Sequence, residues 1–320
     1  MVSDAAKRFR DYAVVKGVDA CFLSFAYAGR ANPLFHPSLY GVQVIKDIPY
    51  GLLGERANRL NIYRPTQFGR SWPVLLYIHG GGFRSLSKQL NQLLALQYAK
   101  MGFAVVSIDY RLAPKHPFPA VAVDACAAYA WLQEHAHLYG MDLDRLVVTG
   151  ESAGGNLAMG LAIAACYQRS EPWAKAVYET GIVPKAVISA CGMLQISDPE
   201  RLLKQRHVRK FLLPAIEVVR DAYLASSQLK DTPTMDLADP LCFLERVPPP
   251  HRDFPNVLAF AGTSDPMLSD TERLAVVLDR WQTPYELRYY ADGMHVFHGF
   301  LWSKKARMCW QHQREFLSQF

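Results

Sequence analysis

Apolar residues in this chain gather in short unbroken runs. Trp72 to Ile78 (WPVLLYI), Phe103 to Asp109 (FAVVSID) and Arg145 to Thr149 (RLVVT) are the clearest, followed by Lys185 to Ala190 and Val257 to Phe260. Runs of this length, rich in Val, Ile and Leu, predict strands covered on both faces, as in the middle of a parallel sheet. Tyr40 to Ile48, Leu60 to Tyr63 and Tyr285 to Tyr290 add three further strands. Between them the spacing of Ala, Leu and Met predicts helices near Leu90 to Met101, Ala120 to Tyr139, Ser152 to Arg169 and Thr271 to Trp281, and a closing helix that runs to Phe320. Strand and helix in alternation, with right-handed crossovers, predict an α/β fold with a doubly wound, mostly parallel sheet. Ligands in such sheets bind beyond the carboxyl ends of the strands.

The alternation breaks at Asp198-Pro199. Leu202, Leu203, Val208, Phe211 and Leu212 share one helical face, and Pro214 is suited to the first turn of a second helix that carries Ile216, Val219 and Tyr223. This insertion reads as a helical cap. Its basic residues Arg201, Lys204, Arg206, Arg209 and Lys210 read as a solvated face rather than a membrane or anion site. Residues up to about Pro37 have a mixed pattern, with aromatics at Phe22, Phe25, Tyr27, Phe35 and Tyr40.

Where the run at Arg145 stops, the sequence is TGESAGGN. Gly150-Glu151-Ser152-Ala153-Gly154 fits G-x-S-x-G between a strand and a helix, the pattern that holds a serine hydroxyl exposed on a tight turn. Alone the pattern is weak, since roughly one chain in ten of this length carries it by chance, and a helix N-cap serine without chemistry is the lesser alternative. A second stretch strengthens it. His79-Gly80-Gly81-Gly82-Phe83 follows the central run and leaves bare backbone N–H groups that can donate to an oxyanion. Downstream, Gly262 to Asp270 (GTSDPMLSD) supplies an acidic residue at a strand end, and His295 and His298 follow the last strand. The order Ser, Asp, His is that of the α/β-hydrolase arrangement. A serine hydroxyl becomes nucleophilic when a neutral imidazole takes its proton, and a buried carboxylate fixes the tautomer. Of the two histidines we expect His295 to serve, because Asp292-Gly293 turns the chain just after the last strand and leaves His295 near the strand ends.

Composition narrows the reading. The 320 residues, half of them hydrophobic, can bury one large core, so one domain over residues 1–320 is expected. A net charge of +6 with no basic cluster interleaved with aromatics argues against a nucleic-acid partner. Six scattered cysteines (Cys21, Cys126, Cys166, Cys191, Cys242, Cys309) without C-x-x-C suit reduced thiols. The charged residues Asp4, Lys7, Arg8, Arg10 and Asp11 precede no long apolar stretch, so neither a leader nor a membrane span is expected, and a cytoplasmic location is. The ten histidines show no H-E-x-x-H or comparable spacing, so no metal and no cofactor is expected.

Taken in order, HGGGF, YRLAPKHPFPA (Tyr110 to Ala120), GESAGG, DPMLSD and GMHVF resemble the hormone-sensitive-lipase-like, HGGG-motif branch of α/β-hydrolases, over about Trp72 to His298. That resemblance implies Ser152 as nucleophile, His295 as base, Asp265 as orienting acid, and the N–H groups of Gly81, Gly82 and Ala153 as oxyanion hole. It also implies a cap built from about residues 1–45 and 197–240 over a core of 46–196 and 241–320. The implied activity is serine carboxylesterase on a small-molecule ester of short to medium acyl chain, with a homo-oligomer left open. Lys115 departs from the acidic residue usual at its position. An amidase or deacetylase would use the same triad. A non-catalytic ligand-binding protein would share the fold but usually lacks a triad member, and here all three residue types are present.

Overall fold

Eight strands form one sheet in the order β1-β2-β4-β3-β5-β6-β7-β8. They are β1 (Val42–Pro49), β2 (Arg59–Pro65), β3 (Trp72–Ile78), β4 (Ala104–Ile108), β5 (Met141–Glu151), β6 (Ala186–Ala190), β7 (Asn256–Gly262) and β8 (Tyr285–Tyr290). Only β2 runs against the rest, pairing antiparallel with β1 and β4, while every pair from β4 to β8 is parallel. The computed structural model describes residues 36–51, 57–66, 71–205, 208, 210–225 and 232–320, with scattered positions before residue 36 (9, 12, 13, 15–17, 20, 23, 24, 27, 28 and 33). Phe22, Phe25 and Phe35 of the aromatic run, Cys21, and the basic residues Arg206 and Arg209 lie outside the described residues, as does most of the expected N-terminal part of the cap.

The unbroken apolar runs follow from a sheet covered on both faces. In β3, Val74, Leu76 and Ile78 pack into one core and Leu75 and Tyr77 into the other. In β7, Val257 and Ala259 face the first core and Leu258 and Phe260 the second. Residues of α1 (Gln92–Ala99) and of the closing helix, α8 (Lys304–Leu317), line the second core. The first is lined by α2 (Ala120–His135), α3 (Ala153–Cys166), α4 (Pro172–Glu179) and α7 (Leu268–Trp281). Of α3 every residue except Gly160 is buried, which explains a helix written in Ala and Gly: small side chains let it lie close against its neighbours on several sides.

The segment after β6 differs from its expected form. Instead of two α-helices it holds 3₁₀ turns at Pro199–Lys204 and Lys210–Leu212 and one α-helix, α5 (Leu213–Tyr223), which does carry its proline in the first turn. The Asp198 side chain accepts the Arg201 N–H and starts the first turn, and the chain leaves it at Gln205 in extended backbone. Two helices had no counterpart in the sequence reading, α4 and α6 (Pro240–Arg246).

α5 lies over the glycine loop. The Tyr223 ring stacks on Phe83 at 3.7 Å, Phe118 meets Tyr223 edge-on, and the Phe118 N–H donates to the Tyr223 carbonyl. A buried ion pair anchors the insertion: Arg201 reaches Asp270 at the start of α7, and Asp270, with no solvent exposure, also accepts the N–H groups of Leu194 and Gln195.

Candidate active site

Ser152 stands between β5 and α3 with φ 56° and ψ −115°, left-handed backbone that a non-glycine residue adopts only where its surroundings enforce it. Those surroundings are backbone in direct contact. A Cβ on Gly154 would sit 2.0 Å from the Ile78 carbonyl oxygen, and one on Gly150 would sit 2.4 Å from the Gly154 carbonyl, so β3, β5 and α3 meet here without room for a methyl group. The Ser152 N–H donates to the Ala190 carbonyl, and Met193 donates back to the Ser152 carbonyl, which binds the turn to the end of β6.

Two loops at neighbouring strand ends bring the other groups. β7 ends at Gly262, and a Cβ there would lie 2.0 Å from the Gly293 carbonyl oxygen. Ser264 donates to that same carbonyl, and the Asp292 N–H donates to the Thr263 hydroxyl. The loop after β7 and the loop after β8 are thereby laced together. Asp265, fully buried, faces His295 across that seam: the His295 Nδ1 lies 2.9 and 3.0 Å from the two Asp265 oxygens, and its Nε2 lies 2.9 Å from Ser152 Oγ. A carboxylate can only accept, so Nδ1 carries the proton and Nε2 presents its lone pair to the serine hydroxyl. The Met267 N–H donates to Asp265 at 2.8 Å, holding the carboxylate in place. Burial pushes the His295 pKa down, and the charge and hydrogen bond of the adjoining Asp265, with the Glu151 charge, more than offset it, so it ends above 6.5.

The second histidine is in different company. His298 is buried against Phe260, Phe297 and Trp310, its Nδ1 has no hydrogen-bond partner among the described residues, and burial drives its pKa down to about 3. Of the two, His295 is the one within hydrogen-bond reach of both Ser152 and Asp265.

Gly81 (φ 108°) and Gly82 (φ 59°) turn the loop after β3 in the left-handed region. The N–H groups of Gly81, Gly82 and Ala153 donate to no group among the described residues. Lys115 is exposed. The sequence reading missed two neighbours of the site. Glu151, directly before the nucleophile candidate, is buried; its charge at the end of an apolar strand was the available signal. Cys191, at φ 49° just after β6, is fully buried, and its sulfur lies within 4.8 Å of ligand-capable atoms of Asp265 and His295. Those three make the one such cluster among the described residues, but the imidazole and carboxylate are already bonded to each other. A cleft of about 840 Å³ lies apart from the triad, walled by charged residues that include Arg220, Asp221, Asp236 and Arg246.

A strand-turn-helix serine, a carboxylate after β7 and a histidine after β8, on a sheet with one reversed strand, define the α/β hydrolase fold. Residues 75–299 match that family, and the chain belongs to it. It is 43% identical to Esterase LipI of Mycobacterium tuberculosis over 130 residues, 40% of this chain and 39% of that protein. It is 36% identical to hormone-sensitive lipase of Bos taurus over 152 residues, 47% of this chain and 19% of that protein. The chain thus spans less than half the length of either relative. The crystal structure of esterase LipW from Mycobacterium marinum superposes with a TM-score of 0.75 at 25% identity, covering 95% of this chain and 89% of that one. No helix among the described residues is long and apolar enough to cross a membrane.

Proposed function

We propose that this protein is a serine carboxylesterase that cleaves small esters of short to medium acyl chain through a covalent acyl-enzyme. The observation that carries the reading is the continuous relay from Asp265 through His295 to Ser152, with both links near 2.9 Å. Ser152 Oγ attacks the ester carbonyl carbon and gives its proton to His295 Nε2, while the oxyanion accepts the Gly81, Gly82 and Ala153 N–H groups. Collapse breaks the bond to the alkoxide, which leaves with the proton from Nε2. Water then attacks the acyl-serine, its proton passing to Nε2 and back to Ser152 Oγ, and the carboxylic acid is released.

The preference for short chains rests on α5, whose Tyr223 stacks on Phe83 and whose Val219 side chain comes within 2.8 Å of where a Cβ on Gly82 would stand, so the insertion bounds the space over the glycine loop. Ser152→Ala should abolish hydrolysis of p-nitrophenyl esters by several orders of magnitude with the fold intact. A variant that kept more than about a tenth of the wild-type kcat would remove Ser152 from the role. Matched anilide and phenyl ester substrates separate amidase from esterase action.

A further inference from the structure

One buried carboxyl group beside the nucleophile makes and breaks no bond in that chemistry, though its charge helps to raise the His295 pKa. Glu151 ends β5, is 3% exposed, and gathers three donors from two other stretches of chain. Its Oε1 accepts the Gly80 N–H at 2.7 Å and an Asn91 Nδ2 hydrogen at 2.5 Å, and its Oε2 accepts the Tyr77 hydroxyl at 2.9 Å. Tyr77 belongs to β3, Gly80 begins the glycine loop, and Asn91 stands just before α1. Backbone contact reinforces the join: a Cβ on Gly80 would lie 2.7 Å from the Glu151 carbonyl oxygen.

Gly80 is the residue before the two glycines assigned to the oxyanion hole. Beyond it the loop closes on itself, since the Gly81 carbonyl accepts the N–H groups of Arg84 and Ser85 and the Ser85 hydroxyl. On the near side Tyr110 donates to the His79 carbonyl and stacks on the His79 ring. The Gly80 N–H to Glu151 bond is therefore a direct tie between the loop and the strand that ends at Ser152.

We propose that Glu151 is the positioning residue of the oxyanion loop: its carboxylate, by accepting the Gly80 N–H, sets how the Gly81 and Gly82 N–H groups stand toward Ser152 Oγ. It acts through the loop and touches neither substrate nor reacting atoms. The inference rests on the esterase reading above. The energetics of the carboxylate agree with such a role. Burial pushes its pKa up to about 7, against the pull of its donors. The folded state thus binds the proton more tightly than the unfolded one, and folding stability falls as pH rises from about 4.5 to about 7. An apolar residue would avoid that penalty, and a carboxyl group buried at such expense beside a nucleophile points to function.

The test uses the full chain with Glu151→Ala, Glu151→Gln and Glu151→Asp. Three quantities are read: the endpoint of Ser152 labelling by a fluorophosphonate, kcat and KM per labelled site for p-nitrophenyl butyrate, and the inhibition constant of a trifluoromethyl ketone, which adds to serine and places its oxyanion in the hole. For Glu151→Ala we expect kcat per labelled site to fall about a hundredfold, the order of one lost oxyanion donor, with ketone affinity falling in parallel and KM within about threefold. Gln, whose amide oxygen can still take the Gly80 N–H, should stay within about tenfold of wild type. Asp keeps the charge but withdraws it by one methylene and should do worse than Gln.

A purely structural Glu151 would lower the labelled fraction while leaving kcat per site and ketone affinity unchanged, and that result overturns the proposal. So does Asp matching wild type or outperforming Gln, a comparison that stands even where the Ala variant does not fold. A wild-type chain that neither labels at Ser152 nor hydrolyses esters defeats the esterase reading instead.

Discussion

His295 and His298 differ in what surrounds the ring, and on the proposed reading that difference separates their roles. One meets a carboxylate and a hydroxyl, the other meets aromatic faces. His295→Ala should lower kcat about a thousandfold or more and His298→Ala less than about tenfold, and the reverse order in steady-state assays would exchange the two. Because Asp265 holds the His295 pKa above 6.5, the acid limb of kcat/KM should lie above 6.5 as well: the base must be neutral, so activity is lost as pH falls through that value. The stability contribution has the opposite sense. It is fully present below 6.5 and is lost as pH rises through the folded-state value. A flat profile from pH 5 to 8 in a folded protein contradicts a histidine base. Ser152, Asp265 and His295 were legible in the sequence because each sits in a local motif at a strand end. Glu151 and Cys191 were not, because their significance comes from groups 60 or more positions away that only the assembled sheet brings near.

At the scale of elements, the strands were readable because burial on both faces writes itself as an unbroken apolar run. α4 and α6 escaped because they are one or two turns long, too short to show a period; Pro172 and Pro240 at their first turns were the available signal. The insertion was misread for a related reason. Leu202 and Val208 are buried as an apolar helical face requires, but the turn at Pro199–Lys204 is held by particular side chains, Asp198 accepting the Arg201 N–H and Arg201 reaching Asp270. That ion pair gives a prediction. Arg201→Ala removes the nearer of two cations from the buried Asp270 carboxylate, leaving Arg273 at 4.0 Å, and should lower folding stability by about 2 kcal/mol or more in denaturant titration. A loss below about 1 kcal/mol would mean that Arg273 and the Leu194 and Gln195 N–H groups suffice to hold the carboxylate.

For the whole molecule, the parallel sheet gathers Ser152, Asp265, His295 and the glycine loop at the carboxyl ends of β5, β7, β8 and β3, where open α/β sheets bind ligands. α5, which follows the point at Asp198-Pro199 where the alternation of strand and helix stops, lies over that loop. If α5 bounds the acyl group as proposed, the protein should favour short to medium p-nitrophenyl esters, with rates falling beyond about ten carbons and no jump at an emulsion interface. Rates that climb with chain length would show that the insertion does not bound the acyl group. All of this depends on the acyl group passing through one oxygen atom. The direct test is to quench the protein with acid during turnover of a p-nitrophenyl ester and map the acylated peptide by mass spectrometry. The account predicts a single acyl adduct on Ser152, absent from Ser152→Ala. An adduct on any other residue, or steady turnover by the Ser152→Ala chain, would contradict it.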